Sequence, residues 1–194
     1  LSLTSTTKYI NGHSDALGGV VCTADQEWYG RMTYAQKALG LQPSPFDAWL
    51  ITRGIKTLPL RLERQIANAA ALADQLAIHP RMHWVRYPFR SDHPQHAVAR
   101  KQMSGGGAII TASLNADQKQ TYTFCKSLRY FTMAESLGGV ESLICHPATM
   151  THASVDPEVK QKLGIDDGLV RFSVGCEDLA DLSADLNQAL EQLQ

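Results

Sequence analysis

The chain has 194 residues, with 18 Lys and Arg against 19 Asp and Glu, and this near-balance removes any broad electrostatic case for nucleic acid or an anionic membrane surface. Hydrophobic residues at 44% and charged residues at 19% match a globular protein with a core to bury and exclude a disordered or fibrous chain. The length predicts one domain, or one domain carrying part of another, since domains usually run ~100–150 residues.

In chain order, the apolar run Leu17 to Cys22 predicts a buried strand, and Asp25 caps a helix expected to run to about Leu39 and to stop at Gly40. Gln42-Pro43-Ser44-Pro45 breaks the chain. Ser44 before Pro45, with Asp47 three residues on, starts a helix carrying Phe46, Trp49, Leu50 and Ile51 that Gly54 is expected to close. Thr57 opens a further helix in which Ile66, Ala70, Ala73 and Ala77 recur at helical spacing, ending before Pro80. Strand-like and helix-like segments then alternate: strand at Trp84 to Tyr87, helix at Pro94 to Gln102, strand at Ala108 to Leu114 and helix at Ala116 to Leu128. Short strands are expected near Tyr130 to Met133 and Glu141 to Ile144, then a helix from Pro157 to Leu163, a strand from Leu169 to Val174 and a long amphipathic helix from Asp178 to Leu193. The pattern is α/β, a sheet with helices packed on it. The Pro-rich breaker marks the expected domain boundary, with residues 1–42 before it and residues 43–194 after it.

Cys22, Cys125, Cys145 and Cys176 lie far apart with no CxxC pair, which favours a reduced, cytoplasmic setting over a disulfide scaffold. No apolar run approaches the ~18 residues of a membrane span, so a soluble protein is expected. Leu1 opens inside an apolar-polar run, which suggests a stretch of a longer protein.

Chemistry concentrates in Ser5-Thr6-Thr7-Lys8-Tyr9-Ile10-Asn11-Gly12-His13-Ser14-Asp15, where hydroxyls crowd one lysine. Hydroxyls of this kind hold a phosphate while the amine forms an imine with an aldehyde on the same ligand. The residues alone also allow a Ser/Thr-rich turn with a solvent-facing lysine. Arg171 sits in the apolar segment Leu169-Val170-Arg171-Phe172-Ser173-Val174, where an unpaired guanidinium is costly, so it needs an anion. Glu177 or Asp178 could pair with it, or an edge position could let it reach water.

The lysine stretch resembles the S-x-T-K-Y-x-x-G-H-S-D motif of the pyridoxal-phosphate enzymes of cysteine and methionine metabolism, the cystathionine γ-lyase and γ-synthase family. Further matches follow in that family's order: Pro45-Phe46-Asp47-Ala48-Trp49-Leu50, Arg53-Gly54-Ile55-Lys56-Thr57-Leu58, His93-Pro94-Gln95-His96 and Gln102-Met103-Ser104-Gly105. Then come Ala134-Glu135-Ser136-Leu137-Gly138-Gly139-Val140-Glu141-Ser142-Leu143, His146-Pro147-Ala148-Thr149-Met150-Thr151-His152-Ala153 and the segment from Leu169 to Asp178. The resemblance covers essentially the whole chain. It implies a fold-type I pyridoxal-phosphate transferase architecture, with residues 1–42 the end of the large cofactor domain and residues 43–194 a linker helix and the complete small C-terminal domain. Such enzymes are about twice this long, so the pyridine-nitrogen aspartate, stacking tyrosine and phosphate loop would lie upstream.

The resemblance also implies the site. Lys8 would be the catalytic lysine joined to pyridoxal 5'-phosphate, and Ser5 and Thr7 would bind the cofactor phosphate, with Thr6 facing away along an extended segment. Arg171 would grip the substrate α-carboxylate, Ser136 would help place it, and Glu135 stands where cystathionine-processing members commonly carry Glu. The implied activity is trans-sulfuration: γ-elimination that cleaves a C–S bond of a sulfur-containing amino acid, or γ-replacement with an O-acylhomoserine and cysteine, in a homotetramer. A non-catalytic C-terminal piece serving as a structural or oligomer-forming half is the alternative from another class. His93 and His96 lack a third ligand at a fitting spacing, and no metal is expected. Gly105-Gly106-Gly107 follows a helix and precedes a strand, the reverse of a phosphate loop's order, and predicts a tight turn.

Overall fold

A computed structural model describes residues 1–193. They form two compact units that divide between Leu60 and Arg61.

In the first unit, β1 (Ser2–Ser5) and β2 (Gly19–Cys22) form an antiparallel ribbon with Ser2 opposite Cys22 and Ser5 opposite Gly19. β2 is not the buried strand that its apolar composition predicts: Val21 is 43% exposed and Cys22 is exposed, because a two-stranded ribbon has no helix layer across it within this unit. Helix α1 (Gln26–Leu39) starts where Asp25 accepts a hydrogen bond from Trp28 N–H at 3.0 Å, and Gly40 follows it. Helix α2 (Pro45–Ile55) starts on Ser44, whose hydroxyl accepts from Asp47 N–H at 3.0 Å and donates to Asp47 Oδ2 at 2.8 Å, with Pro45 preset for the first turn. Gly54 does not end this helix as expected. It is buried inside the last turn, where an added Cβ would meet the carbonyl of Asn11, so contact and not chain termination accounts for the glycine.

The second unit carries a five-stranded sheet in the order β3 (Met82–Arg86), β4 (Ile109–Leu114), β7 (Leu169–Ser173), β6 (Leu143–Cys145), β5 (Thr132–Met133). All neighbours are antiparallel except β5 and β6, which are parallel. Helix α3 (Leu58–Ala77) continues into this unit, followed by α4 (His96–Gln102), α5 (Gln118–Ser127), α6 (Pro157–Lys162) and α7 (Leu179–Glu191). Along β4, β7 and β6 the register sets Ile110 beside Phe172 and Phe172 beside Ile144, all essentially without solvent exposure. Phe124 of α5 and Phe131 meet the Phe172 ring edge-on at 6.5 and 5.5 Å, and burying such a ring contributes ~1.5–3 kcal/mol. Leu72 and Leu76 of α3 and Leu182, Leu186 and Leu190 of α7 complete the core. Helices α3 and α7 are tied by Gln75 Nε2 donating to Asn187 Oδ1 at 2.8 Å and Ser183 Oγ donating to Gln75 Oε1 at 2.7 Å.

Element types in this unit follow the sequence expectation, and boundaries shift for local reasons. The helix expected from Ala116 begins at Gln118 because Asp117 and Gln120 form a reciprocal capping box. Tyr87 leaves its expected strand, its hydroxyl donating to Gly107 O at 2.9 Å. The helix expected from Pro94 begins at His96. The strand expected over Tyr130 to Met133 keeps only its last two residues, because Asp185 of α7 takes the Arg129 and Tyr130 N–H groups at 2.9 and 2.8 Å.

Candidate active site

The lysine stretch leaves β1 as a single π-helical turn, Thr6–Ile10, in which Asn11 N–H donates to Thr6 O at 3.0 Å. Lys8 interrupts that turn with φ −93° and ψ −128°. The segment is therefore extended only as far as Ser5, which corrects the expected strand-like alternation across residues 5 to 7. Thr6 is buried while Ser5 is exposed and Thr7 and Lys8 are half-buried. Thr6 N–H and Thr7 N–H both donate to Gly18 O, at 2.9 and 3.4 Å. The Thr7 hydroxyl accepts from Gly18 N–H at 3.0 Å and donates to the same residue's carbonyl at the longer 3.3 Å. Beyond Lys8, Asn11 Nδ2 donates to Asp15 Oδ1 at 2.8 Å, and His13 Nδ1 lies 2.7 Å from the Asn11 carbonyl, which makes that nitrogen the donor. Asn11, His13, Asp15, Arg53 and Thr57 line a cavity of about 230 Å³ in this unit.

The second unit brings Arg171, Ser136 and Glu135 together. Arg171 lies mid-strand on β7 with Thr111 and Cys145 as its cross-strand neighbours, and its Nη2 donates to Ser136 O at 3.0 Å and Glu135 O at 3.4 Å. Its Nε is buried with no hydrogen-bond partner among the described residues. The acidic partners that composition left open are engaged elsewhere: Glu177 accepts from Ser142 N–H at 2.6 Å and Ser142 Oγ at 2.8 Å, while Asp178 caps α7 and lies 3.6 Å from Arg64. A guanidinium whose Nη2 is held by main-chain carbonyls and whose buried Nε has no partner keeps donor capacity that a carboxylate could take up. Glu135 meets Arg171 through its carbonyl, and its side chain is exposed.

A model of the family described as Cys/Met metabolism PLP-dependent enzyme matches residues 1–191. The chain belongs to this family, whose cofactor is pyridoxal 5'-phosphate (PLP). It is 47% identical over 188 residues to a cystathionine γ-lyase of Dictyostelium discoideum, covering 97% of this chain and 49% of the relative. A cystathionine β-lyase of Coxiella burnetii is 48% identical over 187 residues, with 96% and 48% covered. The solved cystathionine γ-synthase of Xanthomonas oryzae pv. oryzae, in complex with aminoacrylate and cysteine, superposes with a TM-score of 0.93 at 48% identity over 97% of this chain and 49% of its own, which shows the expected fold class. The chain spans about half the length of the relatives it matches.

The lysine-side donor set fits PLP. Ser5 is exposed, Thr7 keeps a lone pair on Gly18 N–H and can swing its proton from the long Gly18 carbonyl contact to a phosphate oxygen, and a primary amine follows at Lys8. Sequence reasoning missed Gly18, the anchor of Thr7, and it missed Ser173 and Gln65, which hold the segment facing Arg171. Strand alternation could have flagged Ser173, two residues beyond Arg171; nothing local could have flagged Gln65, 74 residues from its partner Gly139.

Proposed function

We propose that this chain supplies the lysine-bearing and carboxylate-binding parts of a PLP-dependent trans-sulfuration enzyme that performs γ-elimination on cystathionine, with γ-replacement between an O-acylhomoserine and cysteine as the alternative. The observation that carries this reading is the Arg171 fork, its buried Nε without a partner and its Nη2 fixed on the Ser136 and Glu135 carbonyls. Both activities need an α-amino acid gripped by its carboxylate, and the relatives span γ-lyase, β-lyase and γ-synthase at nearly equal identity.

In this reading Ser5 and Thr7 hold the cofactor phosphate through their hydroxyls, and Lys8 carries the cofactor and then moves the proton at the substrate Cα. PLP, when bound, supplies the electron sink that acidifies Cα–H and then Cβ–H so that a Cγ substituent can leave. Arg171 binds the α-carboxylate and so fixes the orientation of the substrate's Cα substituents, Ser136 helps place the carboxylate, and the exposed Glu135 side chain serves the distal part of the substrate. Residues 1–42 belong to the cofactor-binding domain and residues 43–194 to the linker helix and small domain. The whole enzyme works as a homotetramer in the cytoplasm, a setting in keeping with four free cysteines.

Borohydride reduction of the PLP-loaded protein followed by peptide mapping is expected to place the pyridoxyl group on Lys8; labelling of Lys37 or Lys56 instead would overturn the assignment. Product analysis with cystathionine, and with an O-acylhomoserine plus cysteine, separates lyase from synthase, and turnover of neither refutes both. A purified chain that gains no absorbance on addition of PLP is a structural half.

A further inference from the structure

The guanidinium of Arg171 is held by two carbonyls of a segment that has no regular structure of its own. Between Met133 at the end of β5 and Leu143 at the start of β6 the chain forms neither helix nor strand, and bends through Gly138 at φ +81°. Left to itself such a segment samples many conformations, and the Glu135 and Ser136 carbonyls would wander with it.

Two fully buried side chains prevent this. Ser173, 1% exposed, accepts a hydrogen bond from Gly138 N–H on its hydroxyl at 2.8 Å. Gln65, with no exposure at all, reaches from α3 to donate from Nε2 to Gly139 O at 2.6 Å. Beyond them, Cys176 N–H donates to Val140 O at 2.7 Å and Ala134 N–H to Ile144 O at 2.9 Å, closing the ends of the segment. Ser173 lies two residues beyond Arg171 on β7, so both side chains leave the same face of the strand. One strand thus provides the cation and the hook for the segment that aims it.

We infer that Ser173 and Gln65 are positioning residues for α-carboxylate recognition, acting on Arg171 through the 134–140 segment. This rests on the reading of Arg171 as the carboxylate-binding residue. Removing the Ser173 hydroxyl frees the Gly138 N–H, loosens the Glu135 and Ser136 carbonyls, and lets the guanidinium rotate out of the orientation that they fix.

Binding of norleucine and of its decarboxylated counterpart pentylamine to the PLP-loaded protein, followed by the change in cofactor absorbance, tests this. In Ser173→Ala, norleucine affinity is expected to fall by about five- to tenfold, the span of one hydrogen bond's net effect, while pentylamine affinity is unchanged. Gln65→Met removes the other anchor and carries the same expectation, so a misfolded Ser173→Ala protein does not decide the matter. In an Arg171→Ala background neither change should weaken norleucine further. Equal loss for norleucine and pentylamine, or additive loss on Arg171→Ala, would overturn the positioning role. If Arg171→Ala weakens norleucine while Ser173→Ala and Gln65→Met do not, the positioning role alone fails; if Arg171→Ala has no effect, the carboxylate reading fails with it.

Discussion

An arginine in the middle of an apolar strand poses the same question to any reader of the sequence: what anion justifies its desolvation? The residue type identified the need, and only the fold shows that Glu177 and Asp178 are occupied with Ser142 and the start of α7. The hydroxyl-rich lysine stretch was legible for the same reason, since hydroxyls beside an amine form a local pattern. Its conformation was not legible, because the π-helical turn from Thr6 depends on Gly18, eleven residues from Thr7. Burial also changes a residue with no assigned role. Loss of water around the Cys125 thiol, and secondarily the nearby Cys145, push it from an ordinary 9.0 up to about 12. The folded chain therefore keeps a proton that the unfolded chain releases above pH 9, so this thiol's contribution to stability is full below 9 and is lost as pH rises toward about 12. Urea midpoints measured across that window should fall more steeply for the parent chain than for Cys125→Ala, and parallel slopes would contradict the shift.

At the scale of elements, caps and breakers carried most of the information. Asp25, Ser44, Asp117, Asp156 and Asp178 each accept a hydrogen bond from an N–H in the first turn that follows, and each is a short polar side chain visible in the sequence. Where boundaries moved, a distant partner was responsible. Asp185 is such a partner: 3% exposed on α7, it collects the Arg129 and Tyr130 N–H groups and also accepts from Gln188 Nε2 at 3.1 Å. It fixes the link between α5 and β5, and so the edge of the sheet from which the Arg171-facing segment departs. Asp185→Ala leaves two main-chain donors without their acceptor, an expected loss of about 1–3 kcal/mol measured as a lower urea midpoint with an unchanged m-value. A variant as stable as the parent would show that water replaces the carboxylate at no cost.

At the scale of the molecule, the two units differ in what holds them. The second has a sheet whose inner residues and facing leucines are almost wholly excluded from water, together with side-chain ties from α3 to α7 and a buried one from α3 to the 134–140 segment. The first has a two-stranded ribbon, a helix α1 with no buried residue, and large apolar side chains in water, among them Tyr34 at 75% and Trp49 at 58% exposure. Exposed aromatics at this density mark a surface for contact, and the relatives are about twice as long as this chain. Local opening free energy follows buried contacts, so hydrogen exchange on the 194-residue chain should find α1 amides exchanging far faster than those of β4, β7 and α7. A partner or a further stretch of chain that covers these side chains should protect the same α1 amides and change those of β7 little. Equal protection of α1 and β7 in the chain by itself would mean that the first unit draws its stability from something other than buried apolar area.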